Sequence, residues 1–187
     1  MEINLSWDLF VIVFFTVIIA YSFIIGRNQT LKIIIASYIA ILTSDGIGNL
    51  IERFFIGDNP VVNVLNLAGS EKAVIILKIL FFVFTIVVIV TRGRFTINMD
   101  KGRSSIMNMI LAITYGILSA GLITSTILIY ASGASLVQET SIIMNEAVLK
   151  MYHESYLVQT MINNYNLWFS LPAITFVISS FAGGEEE

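Results

Sequence analysis

The chain has 187 residues, 57% of them hydrophobic and only 12% charged, with a mean hydropathy of +0.87. One soluble core cannot enclose that much apolar side chain, so composition selects a polytopic membrane protein. The absence of cysteine excludes disulfides, thiolate chemistry, cysteine-zinc sites and iron-sulfur clusters, and a net charge of -3, with Glu185, Glu186 and Glu187 closing the chain, argues against nucleic acid as a partner.

Leu9 to Ile25 is the first predicted span. Glu2 and Asp8 precede it without any lysine or arginine, the wrong polarity for a cleavable signal, so the run is expected to be retained. The second span runs from Leu31 to about Leu50, with polar interruptions at Ser37, Thr43, Ser44 and Asp45. Gly46 and Gly48 are expected to loosen its end. The third, Ala73 to Val90, is unbroken except for Lys78. The fourth, Ile106 to Ala131, is the longest. Its Ala112, Gly116 and Ala120 recur every four residues, with Gly121 beside them, a pattern that lets helix backbones approach closely in lipid.

From Gln138 to Asn166 the apolar Met144, Val148, Met151, Tyr152 and Tyr156 fall at helical intervals among Glu139, Glu146, Lys150 and Glu154. This reads as an amphipathic helix or helix pair at the membrane surface. The last apolar run, Leu167 to Ala182, has 16 residues and contains Pro172. It is short for a span and is expected to lie in the interface or re-enter, with a fifth crossing as the alternative. The expected fold is therefore all-α: four transmembrane helices over residues 1–132, then an amphipathic helical region with a short apolar segment over residues 133–187.

Loop charges give an orientation. Arg27 and Lys32 flank the turn between spans one and two, and Arg92, Arg94, Lys101 and Arg103 crowd the connection between spans three and four. Both connections are expected on the cytoplasmic side, with the N-terminus outside. A rise of about 1.5 Å per residue then puts Asp45 about 9 Å, and Lys78 about 7 to 8 Å, below the outer edge of the hydrocarbon core. At nearly one level, the two charges admit three readings: a lysine that snorkels to the headgroups, an ion pair that fixes spans two and three, or part of a polar path for ions.

Other chemistry is sparse. His153, the single histidine, has no neighbouring ligand spacing, so no metal site or cofactor is expected. No Gly-x-Ser-x-Gly elbow or phosphate loop occurs, and no catalytic residue is named. Trp7 and Trp168 flank apolar runs and read as interface anchors.

Several of these features together resemble the colicin V production protein family of small bacterial inner-membrane proteins. They are Asp8 opening span one, Gly26-Arg27 in the basic turn, the Asp-Lys-Gly-Arg stretch from Asp100 to Arg103, Tyr115-Gly116-Ile117-Leu118-Ser119-Ala120-Gly121 in span four, and Trp168 in the tail. The chain departs from the family pattern in having Gly-Arg for Arg-Gly, Lys101 in place of arginine, and no arginine among the span-four glycines. The resemblance implies location in the inner membrane and a link to toxin production or export and to envelope homeostasis. The expected function is a non-enzymatic scaffold or assembly factor, partnered by the lipid bilayer and by a second copy or other envelope proteins. The span-four small-residue face would build the oligomer. A small channel or transporter using Asp45 and Lys78 is the alternative.

Overall fold

A computed structural model describes residues 7–51, 71–95, 97, 105–134, 136 and 146–181. Seven helices follow in order: α1 (Trp7–Ile25), α2 (Arg27–Ile51), α3 (Glu71–Arg92), α4 (Ser105–Ala131), α5 (Glu146–Glu154), α6 (Tyr156–Asn163) and α7 (Tyr165–Phe181). Four of them are long and apolar enough to cross a membrane, over Trp7–Ile25, Arg27–Ile51, Ala73–Arg92 and Asn108–Ala131. The chain is a multi-pass, all-α membrane protein. Phe10, Val13 and Val17 of α1, and Leu80, Phe84 and Val87 of α3, are exposed where lipid is the natural solvent.

Two glycines in left-handed conformation punctuate the bundle. Gly26, at φ +80°, reverses the chain in a single residue between α1 and α2, and Thr30 Oγ1 donates to the Gly26 and Ser22 carbonyls that the turn exposes. Gly133, at φ +86°, closes α4 with its amide on the Tyr130 carbonyl.

The centre of the molecule is α4, which packs against α1, α2, α3, α6 and α7. Tyr115, Ala120, Leu122, Ile129 and Tyr130 on this helix are almost wholly buried. Its small residues are what let the neighbours in. A Cβ on Gly116 would stand 3.2 Å from Ser22 Cβ of α1, so these helices meet where both are small. Ser22 Oγ has no hydrogen-bond partner among the described residues, so the serine serves there by its size. The face expected to build an oligomer is thus occupied by α1 of the same chain, with Ala112 and Ala120 also buried.

α2 continues without interruption through Gly46 and Gly48 to Ile51, so these glycines do not loosen its end. Gly46 is exposed, and Gly48 is buried at the contact with α3. α5 and α6 form the expected amphipathic pair, packed around Val11, Val148, Val158 and Ile162 at one end of the bundle. Ser155 caps α6 by accepting from the Val158 amide. Asp8 of α1 locks that cap from the side, accepting from Ser155 Oγ at 2.6 Å and from the Leu157 amide at 3.0 Å.

α7 stands antiparallel beside α4, with Trp168 against Gly121 and, further on, Ser179 Oγ accepting from the Tyr115 hydroxyl at 2.5 Å. Pro172 leaves the preceding turn one backbone donor short. The carbonyl left without that donor is Trp168's; beside it Tyr38 of α2 donates to the Phe169 carbonyl at 2.5 Å while its ring meets Phe169 edge-on. Length and proline point to a segment that lies in the interface or re-enters; within the bundle it packs along α4.

Trp168 is therefore no interface anchor. Its ring sits between Phe15 of α1, with centroids 6.0 Å apart, and the bare backbone of Gly121, about 15 Å of helix rise from the end of α4. Trp7, by contrast, opens α1 and is exposed at the bundle end. A Cβ on Gly121 would fall 1.9 Å from Trp168 Cε3, so Gly121→Ala should unseat α7 at an overpacking cost of about 1–3 kcal/mol. In a Trp7→Phe background, quenching of Trp168 fluorescence by brominated lipid should rise; unchanged quenching would show that α7 is held by other contacts.

Candidate functional site

One face of α2 carries Ile41, Ser44, Asp45, Gly48 and Asn49 at helical spacing, turned toward α3 and α4. Asp45 and Lys78 face each other across the α2–α3 contact, with Lys78 Nζ 3.9 Å from Asp45 Oδ1 and side chains 1% and 7% exposed. Lys78 also donates to Asn49 Oδ1 at 3.4 Å. The ammonium is thus shared between a carboxylate and an amide, and its burial excludes a snorkelling lysine. Measured from the nearer helix ends, Ile51 and Glu71, the two residues lie about 9 and 10 Å in, close to one level.

The approach depends on Gly48. A Cβ there would stand 2.3 Å from Lys78 Cε and 2.6 Å from Cγ, so the lysine stem crosses α2 over bare backbone. α4 closes the third side through Tyr130, whose hydroxyl meets Ser44 Oγ at 2.7 Å. Both hydroxyls also reach the Ile41 carbonyl at 3.2 Å. The Asp45 carboxylate interacts with the same phenol. Phe82, fully buried, packs its ring edge-on to Tyr130 with centroids 6.0 Å apart and seals the cluster from within. In surroundings this dry an isolated charge would be strongly disfavoured, so each partner offsets the cost of burying the other.

Gly48, Phe82 and Tyr130 were not expected as members of this site. Gly48 carried a signal, three residues beyond Asp45 on the same face, but glycine near a helix end also reads as a loosener. Tyr130 stands one residue from the end of span four, and the depth reckoning that matched Asp45 with Lys78 misses it: counted from Ile106 it falls about 36 Å along the helix, beyond a core of about 30 Å.

The basic residues gather at the opposite end of the bundle. Arg27 Nη1 donates to Asn108 Oδ1 at 2.9 Å, while Arg92 and Arg94 are exposed. Lys32 is not a loop residue: it is buried within α2, its ammonium donating to the Gly93 carbonyl at 2.7 Å and lying 5.2 Å from the centroid of the Phe95 ring. There it caps the C-terminal end of α3, where a cation meets the negative pole of the helix. Lys101 and Arg103 fall outside the described residues. No family model, curated protein or solved structure matches the chain.

Removing one member of the buried pair should cost about 3–5 kcal/mol, because the other is left uncompensated. Lys78→Met and Asp45→Asn should each lower the apparent Tm in mild detergent, and the double variant should recover much of the loss. Gly48→Ala should be severe in the native chain and mild in a Lys78→Ala background. Equal penalties in both backgrounds would mean the lysine stem is not what Gly48 accommodates.

Proposed function

We propose that the chain is a non-enzymatic integral membrane scaffold or assembly factor of the bacterial envelope, seated in the inner membrane with its N-terminus outside. The observation that carries this reading is the closure of the Asp45–Lys78 cluster over an apolar core. The two charges are spent on each other, and beneath them Leu31, Ile34, Ile41, Phe82 and Leu122 fill the interior. Conduction needs polar groups in series along a wettable line. The buried hydroxyls of Ser37, Ser119 and Thr126 donate to carbonyls of their own helices, which weighs against the small channel or transporter alternative.

The orientation rests on the basic residues at one bundle end, which favour the cytoplasmic face. No reacting centre is invoked: His153 is exposed on α5 with its ring edge-on to Tyr152, and the described residues hold no group of three His, Cys, Asp or Glu suited to a metal. The link to toxin production and envelope homeostasis rests on the resemblance to the colicin V production family. Two glycines of the stretch carrying it, Gly116 and Gly121, are the points where α1 and α7 pack on α4.

In a bacterial host that lacks its own family member and carries a secreted toxin, expression of the chain should restore secretion. An Asp45→Asn, Lys78→Met double variant that still folds should restore it equally well. Ion flux in proteoliposomes that appears with the native chain and vanishes with that double variant would replace the scaffold reading with the transport one.

A further inference from the structure

The helix pair α6–α7 carries a polar stripe on the outside of the bundle. Tyr156, Gln159, Asn163, Asn166 and Ser170 follow one another at intervals of three or four residues, which keeps them on one face. Tyr156, Asn163, Asn166 and Ser170 are exposed, and Gln159 is half-buried. The break at Asn164 scarcely interrupts this register, because the Asn164 amide still bonds to Thr160 and the Leu167 and Trp168 amides to the Asn164 carbonyl. Within the chain the Asn163 carbonyl oxygen accepts from Tyr152 at 3.0 Å, which leaves its two amide protons directed elsewhere.

The stripe lies at membrane depth. Ser125 Oγ donates to the Met161 carbonyl at 3.4 Å, which sets the level of Met161, and Gly121 sets the level of Trp168. Ser125 and Gly121 precede Ala131, the end of the fourth apolar span, by about 9 and 15 Å of helix rise. Asn163 and Asn166 fall between those levels, inside a hydrocarbon core of about 30 Å. Lipid offers carboxamides no partner, so groups exposed there call for one from outside the chain.

We propose that this stripe is the contact surface for a second copy of the same chain. A carboxamide carries two donors and two acceptor positions, so it is complementary to itself. Two copies related by an axis along the membrane normal bring identical residues together at identical depth, as an isologous dimer requires. The exposed Leu167 beside the stripe adds apolar contact around the amides. This deepens the scaffold reading by naming its partner and surface, and it replaces the small-residue face of α4, which α1 already fills.

The lack of cysteine makes the test clean, since each introduced thiol is unique. In proteoliposomes at high lipid-to-protein ratio, oxidised Asn166→Cys should form disulfide-linked dimers severalfold more than Val17→Cys, an exposed position of α1 at similar depth. Single-molecule photobleaching of Asn163→Leu, Asn166→Leu should give an association constant at least about threefold weaker per amide removed. Equal cross-linking at the two positions would overturn the proposal. So would labelling of Asn166→Cys by a membrane-impermeant maleimide in monomers, since water would then cover the stripe. Flux measured on the same vesicles bears on the scaffold reading alone, so the two can fail separately.

Discussion

At membrane depth a polar group has no water to fall back on, so one left without a partner is costly. That constraint organises this bundle more than hydrophobicity does, because lipid tails are as good a solvent for leucine as another helix is. Lys78 is answered by Asp45 and Asn49, Tyr115 by Ser179, and Tyr38 by the Phe169 carbonyl of α7. Each answer joins two different helices, so satisfying the polar groups and choosing helix neighbours are one problem.

Close approach is the second requirement, and small residues meet it wherever a large group must pass. Gly121 receives an indole, Gly48 a lysine stem, and Gly116 the backbone of α1 near Ser22. These positions gain little from their own burial. They matter because a methyl group there would separate partners whose van der Waals contact holds the bundle together. The central place of α4 follows, since its glycines lie far enough apart for α1 and α7 to pack on it at different levels.

The end of the bundle that carries α5 and α6 is held differently. There the Asp8 carboxylate fastens the cap of α6, so a residue near the start of the chain fixes the entry of its last helices. The same residues that anchor α6 set the depth of the stripe that follows it. A bundle built this way has its buried charges paired and the glycines of α4 filled by α1 and α7.

Residue order alone determined the class and the four long apolar helices, because a run of about twenty apolar residues has few stable places other than across a bilayer. It also determined that Asp45 and Lys78 share a level, since rise per residue converts sequence position into depth. It could not say whether those charges meet, because a lysine stem long enough to reach a partner is equally long enough to reach the headgroups. Only the tertiary structure decided that, by setting bare backbone at Gly48 under the stem and Tyr130 and Phe82 around it. It likewise moved Trp168 from the interface into the bundle and stood α7 upright beside α4. Those outcomes depend on which faces of which helices come together, information that periodicity along one segment does not contain.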